Sequence, residues 1–223
     1  MITAIVAMES EAEILLKNAT IAAKKTLLGK NVYEGVFCGI SFSLLLCGVG
    51  KANAALGAGA ALSIYRPSAL LNFGVAGGLN ENTRLCEVYS IEKAVQFDFD
   101  LTQLNGGKIG TLDEYSENYL SLSPLPAALN PRFSPRALAT ADRFNDSAAD
   151  YALLTKTLSA DIRDMEGGAI VQAAKSAGVP VYSFKAISDV AGSGSTTDQY
   201  LKNRAAALEN LEKALPGIFA AIG

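Results

Sequence analysis

Three carboxylates stand where acid–base chemistry is to be expected: Glu11, Glu166 and Asp189. Glu9 and Glu11 follow the apolar run Ile2–Met8. Ser188 and Asp189 follow Val181–Ile187, and Asp164-Met165-Glu166 precedes a helical stretch. Two glycine-rich segments, Gly48-Val49-Gly50-Lys51 and Gly74-Val75-Ala76-Gly77-Gly78, follow two further apolar runs. Open α/β sheets bind ligands beyond the carboxyl ends of their strands, so these groups are expected to gather at one sheet edge. The chain has no histidine. That excludes Ser-His-Asp and Cys-His nucleophiles, His-ligated zinc and an imidazole proton shuttle. Acid–base work falls to Asp, Glu, Lys, Tyr or Cys. Each candidate also has a plainer reading. Glu11 and Glu166 suit the first turn of a helix, Asp189 suits a cap, and the glycines suit strand-to-helix packing. Neither glycine segment has the P-loop spacing, nor a full GxGxxG with an acid about 20 residues on.

The elements that must position these residues alternate between strand and helix. Ile2–Met8 reads as a short buried strand, and Ser10–Asn18 as a helix with acids in its first turn. Asn31–Phe37 and Ser41–Cys47 read as a hairpin about Cys38-Gly39-Ile40. Lys51–Tyr65 is an alanine-rich helix, Ala69–Phe73 an apolar strand ending in a glycine turn, and Glu87–Phe97 a further strand. Thr102–Pro135, with Gly106, Gly107, Gly110 and four of the seven prolines, reads as one long loop, a feature that is usually functional. Ala137–Ala141 is a strand, Gly167–Ala177 a helix closed by Gly178, and Val181–Ile187 a strand. A last helix begins near Thr196, where Thr196 and Gln199 have capping-box spacing. It carries Leu201, Ala205, Leu208, Leu211 and Leu215 on one face. The pattern predicts one domain over residues 1–223, α/β in class: three layers, α/β/α, around a mixed, largely parallel sheet.

The order and wording of the motifs resemble the 5′-methylthioadenosine/S-adenosylhomocysteine nucleosidases of the purine nucleoside phosphorylase superfamily. The runs that carry the resemblance are Ala7-Met8-Glu9-Ser10-Glu11, Gly48-Val49-Gly50-Lys51, Gly74-Val75-Ala76-Gly77-Gly78-Leu79, Asp164-Met165-Glu166 and Ala186-Ile187-Ser188-Asp189-Val190-Ala191. The resemblance extends from about Ile5 to Leu215 and is poor only in Thr102–Pro135. It implies that Asp189, beside Ser188, is the acid that protonates the purine at N7, and that Glu11 is the base that activates the attacking water. It implies that Glu166, with Met165, grips the ribose hydroxyls, that Phe144 stacks on the purine, and that Val75, Gly77 and Lys185 line the substrate site. The chemistry is coherent on its own terms. Cleaving an N-glycosidic bond leaves negative charge on the departing base, which a carboxylic acid can relieve while a second, ionised carboxylate takes a proton from water. A glutamate at a helix N-terminus is biased toward ionisation, and an aspartate ending a buried strand toward desolvation.

The sequence departs from the family pattern at Lys185, where arginine is usual, at Val75, where Ser or Thr is common, and at Phe97, where histidine is common. Lysine lacks the planar fork of arginine. The changes at Lys185 and Val75 weaken a site for a phosphate dianion, and so argue against phosphorolysis more than hydrolysis.

Composition narrows the field further. Acids number 22 and bases 19, for a net charge of -3, with no basic run, so nucleic acid is not an expected partner. Cys38, Cys47 and Cys86 form no CxxC and read as reduced thiols of a cytoplasmic protein, with Cys38 and Cys47 in the core. No run reaches the roughly 20 apolar residues of a membrane span, and none reads as a signal peptide. The expected activity is hydrolysis of a 5′-thio-substituted adenosine with release of adenine, without metal or organic cofactor, in a homodimer. Rival readings are a hydrolase of another nucleoside such as a futalosine-type compound, a purine nucleoside phosphorylase, or a non-catalytic nucleoside-binding module.

Overall fold

The computed structural model describes residues 1–144 and 147–223. Its elements run β1 (Ile2–Val6), α1 (Glu9–Leu16), β2 (Thr20–Leu27), β3 (Lys30–Phe37), β4 (Ile40–Leu46), α2 (Lys51–Tyr65), β5 (Ala69–Gly78) and β6 (Val88–Gln96). There follow α3 (Thr102–Asn105), β7 (Leu120–Ser121), β8 (Pro135–Thr140) and α4 (Ala148–Ala152), which a π-helical turn extends over Leu153–Thr157. The chain ends with β9 (Ile162–Asp164), α5 (Gly167–Ala177), β10 (Val181–Val190) and α6 (Thr196–Ile222).

All ten strands among the described residues join one mixed sheet. One arm is open, in the order β5-β1-β4-β3-β2. The other closes on itself: β5 pairs with β10, β10 with β6, β6 with β8, β8 with β9, and β9 again with β5. Five strand pairs are parallel and five antiparallel, so the expectation of a largely parallel sheet is corrected. The antiparallel share comes from the β2-β3-β4 meander, from the pairing of β6 with β10, and from the short returns β7 and β9, which are too brief to show a period in sequence.

Side chains alternate between the two faces of the central strands. Ile2, Ala4 and Val6 of β1 join Leu15 of α1 and Leu208, Leu211 and Leu215 of α6. Ile5 of the same strand joins Ala54 and Ala58 of α2 and Ile170 and Ala174 of α5. The small residues of α2 bring its axis close to the sheet: a Cβ at Gly57 would lie 2.7 Å from Leu45 and 2.9 Å from Cys47.

Several expectations change. Thr20–Leu27 is a strand that the pattern reading missed, because its side chains are almost all exposed and show no alternation. The glycine segment Gly74–Gly78 continues β5 rather than turning away from it. Thr102–Pro135 holds α3 and β7 and is otherwise irregular. Ser195, not Thr196, caps α6 by accepting the Asp198 N–H. Gln199 instead clasps the end of β10, donating to the Val190 carbonyl and accepting the Val190 N–H. Leu208, Leu211 and Leu215 are buried as expected, but Leu201 is exposed. Cys47 is buried, whereas Cys38 is exposed in the β3–β4 turn at φ 50°. Among the described residues no helix is long and apolar enough to cross a membrane.

Candidate active site

The carboxyl ends of β1, β5 and β10, with β9 and the start of α6, surround a cavity of about 390 Å³. Glu11, Val75, Gly77, Phe144, Met165, Glu166, Ser188 and Asp189 all line it. Eight of the nine expected site residues therefore meet at one place. Lys185, the ninth, is not on the cavity wall but behind it, 2% exposed.

Glu11 occupies the first turn of α1, and its plainer reading as a helix-start acid is part of the arrangement. Its carboxylate turns back to accept the N–H groups of Ala7 and Met8, at 3.2 and 3.1 Å, and accepts the Val75 N–H at 2.9 Å. A carboxylate has about four lone-pair sites, so three amide contacts leave one for a water or a substrate hydroxyl. The place is tight: a Cβ on Gly74 would lie 2.2 Å from Glu11 Oε1. Glu11 is 4% exposed, and burial pushes its pKa up; Lys185 and the three amides pull against that without cancelling it. Burial thus opposes the bias toward ionisation that the helix terminus gives.

Glu166 is the N-cap residue of α5, and its Oε1 accepts the Gly50 N–H at 2.9 Å. Gly50 has φ 100°, a conformation that side-chain-bearing residues rarely adopt. Burial, then the charge of Asp164, pushes Glu166 up to about 7. Behind both glutamates lies a buried ion pair. Lys185 Nζ is 2.9 Å from Asp164 Oδ2, and both side chains are almost wholly enclosed. Asp164 also accepts the Thr140 hydroxyl at 2.6 Å and the Gly167 N–H at 2.8 Å. Burial pulls the Lys185 ammonium down, but Asp164, Glu166 and Glu11 together overcome it and hold it above its ordinary value. Lys185 is therefore one cation among three carboxylates.

Asp189 lies inside β10, where the pairing register with β5 shifts between Ile187 and Asp189. Such irregularities re-aim side chains and recur beside active sites. Asp189 is 1% exposed, and Ser188 Oγ donates to its Oδ1 at 2.8 Å. Its Oδ2 is 3.5 Å from Arg163 Nη2.

At the mouth, Phe144 meets Tyr200 edge-on at 5.7 Å between ring centroids. Phe144 is 49% exposed, so it is not a core phenylalanine. The Tyr200 hydroxyl donates to Met8 Sδ at 3.6 Å. Val75 contributes its backbone N–H, while its side chain packs against the core. Phe97 is buried beneath Arg143, whose guanidinium lies 5.2 Å above its ring, and it does not reach the cavity.

Sequence reasoning missed Arg143, Arg163, Thr197, Tyr200 and Leu201, all of which line the cavity. Of the α6 residues only Leu201 was assigned, and that by its apolar spacing. Arg163 falls in a three-residue strand, although its place directly before Asp164-Met165-Glu166 was a usable signal. Among the described residues no group of three or more His, Cys, Asp or Glu is placed to hold a metal ion.

Comparison with known proteins adds to this geometry. The model of the Phosphorylase superfamily matches residues 2–220. The chain is 31% identical, over 193 residues and 83% of each chain, to the 5′-methylthioadenosine/S-adenosylhomocysteine nucleosidase of Haemophilus ducreyi. Its fold matches the nucleosidase of that name from Colwellia psychrerythraea, solved in complex with adenine, at TM-score 0.88 and 22% identity over 99% of this chain and 95% of the other. It matches the futalosine hydrolase of Helicobacter pylori equally well, at TM-score 0.88 and 20% identity over 98% and 97%.

Proposed function

The chain belongs to the phosphorylase superfamily, and from that premise we propose that it hydrolyses the N-glycosidic bond of a 5′-thio-substituted adenosine and releases adenine. The observation that carries the reading is the convergence of Glu11, Glu166 and Asp189 on one cavity with an aromatic rim. Asp189 donates a proton to N7 of the leaving base, with Ser188 holding the carboxyl in place. Glu11 takes a proton from water as that water attacks C1′. Glu166 and Met165 hold the ribose, and Phe144 covers the purine. Two carboxyls carry both proton transfers, so the reaction as assigned needs no metal or organic cofactor.

The helix pairs on opposite sheet faces, α1 with α6 and α2 with α5, support reading the chain as one three-layered α/β/α domain. Val49, Phe144 and Leu201 leave apolar surface at the cavity mouth, and we infer that a second copy of the chain covers it in a cytoplasmic homodimer.

The test is adenine release from 5′-methylthioadenosine in phosphate-free buffer, with Asp189→Asn as the variant. Loss of a general acid lowers kcat by about a hundredfold or more. Wild-type turnover in Asp189→Asn refutes the acid assignment, and strict dependence on phosphate refutes hydrolysis.

A further inference from the structure

Arg163 has no part in the reaction just described, yet it stands at the end of the cavity assigned to the base. Its backbone pairs with Gly77 on one edge of β5, while Asp189 pairs with the same Gly77 on the other. Gly77 is what lets the two side chains meet. A Cβ there would lie 2.8 Å from Asp189 Oδ2 and 2.9 Å from Arg163 Nε. The arginine side chain is 15% exposed, and its Nη2 lies 3.5 Å from Asp189 Oδ2, at the outer limit of hydrogen bonding rather than in a tight fork.

The two side chains ask for different bases. Adenine presents an acceptor at N7 and a donor at the 6-amino group, whereas a 6-oxopurine presents acceptors at both N7 and O6. A carboxyl group offers one donor when protonated and otherwise accepts, so Asp189 complements adenine and opposes O6. A guanidinium offers five N–H donors and no acceptor, and its paired donors match N7 and O6 of a 6-oxopurine. We propose that Arg163 fits this site to 6-oxopurine nucleosides as well as to adenine nucleosides, by donating to O6 beside Asp189. The inference rests on the hydrolytic reading above and extends its substrate class at the base.

The experiment compares 5′-methylthioadenosine with 5′-methylthioinosine, which differ at C6 and in the N1 proton that accompanies the oxo group, in wild type, Arg163→Met and Arg163→Lys. The expected wild-type kcat/KM values lie within about tenfold of each other. In Arg163→Met the ratio of inosine to adenosine substrate falls about ten- to a hundredfold, the range expected for one hydrogen bond from a charged donor, and Arg163→Lys lies between. A wild-type preference for the adenosine substrate above roughly a thousandfold, or a parallel loss of both activities in Arg163→Met, overturns the proposal. If wild type hydrolyses neither nucleoside, the hydrolytic reading fails, and calorimetry with free hypoxanthine and adenine decides the base assignment alone. Hypoxanthine that binds wild type and is weakened tenfold or so by Arg163→Met upholds it. Hypoxanthine that does not bind wild type sinks it.

Discussion

Replacing Glu166 with glutamine is expected to make the protein relatively more stable as pH rises. The Glu166 carboxyl titrates near 7 in the folded chain, against an ordinary value of 4.5. Burial is the main cause, and the neighbouring charge of Asp164 adds to it. Between those two pH values the folded state holds a proton that the unfolded state has released. Stability supplied by this group is therefore complete below about pH 4.5 and is lost as pH rises through about 7. At 1.36 kcal/mol per pH unit, the loss between about pH 5 and about pH 8 is roughly 2 to 3 kcal/mol. Glutamine keeps an oxygen for the Gly50 N–H but cannot ionise, so it removes the dependence. The assay is urea unfolding of both proteins at the two pH values. The difference, wild type minus Glu166→Gln, should fall by that amount toward high pH, and other titrating groups largely cancel in it. A difference that stays constant, or grows in favour of wild type, refutes the idea that Glu166 carries a penalty for ionisation.

Two further outcomes follow from the same neighbourhood. Lys185→Met removes the cation that draws Glu11 and Glu166 downward, so both carboxyls move up and the acid limb of the pH–kcat/KM profile shifts to higher pH. It also strands the buried Asp164 charge, at a cost of about 3 to 5 kcal/mol in unfolding free energy, whereas Lys185→Arg keeps the charge and the original limb. Gly74→Ala drives a methyl group into Glu11 Oε1, which should displace the carboxylate from the Val75 N–H. Nucleoside hydrolysis should then fall about a hundredfold, the loss expected for a misplaced base, while a substrate analogue that needs no water activation still binds. Full hydrolysis by Gly74→Ala would show that Glu11 is not held where the reaction requires it.

How much of this was legible in the sequence depends on how far each signal reaches. The helices α2 and α5 are where the pattern placed them, because an apolar or alanine-rich run with a clear stop is a local signal. Glu11 and Asp189 were legible because each follows an apolar strand run, and Glu166 because it precedes a helix. The exposed strand β2 was not, since it is held by backbone pairing to β3 and needs no apolar face. The closure of the sheet through β9 was not either: three residues carry no period, and the pairing depends on a contact between positions far apart in the chain. Arg163 was missed for that reason. Lys185 was read as a residue on the site surface because sequence order cannot distinguish the face of a strand that meets the ligand from the space behind it.

The glycines of β5 were read as a turn, and the reason they are not one explains the site. Glu11 and Asp189 both approach this strand so closely that a side chain cannot stand between: Gly74 faces Glu11 and Gly77 faces Asp189. The two glycines are three positions apart. Because successive side chains of a pleated strand point to opposite faces, that odd spacing opens the strand on both faces. The carboxylate assigned to water and the carboxylate assigned to the base thus each close on β5 where a side chain is missing. Glu11 comes with α1, and Asp189 comes with β10 through its register shift. In a histidine-free chain the two proton transfers have to be divided between groups of the same chemical type, and such groups take different roles only when their surroundings differ. Their surroundings do differ: Glu11 is met by three backbone N–H groups and a buried ammonium behind it, while Asp189 is met by the Ser188 hydroxyl and the Arg163 guanidinium.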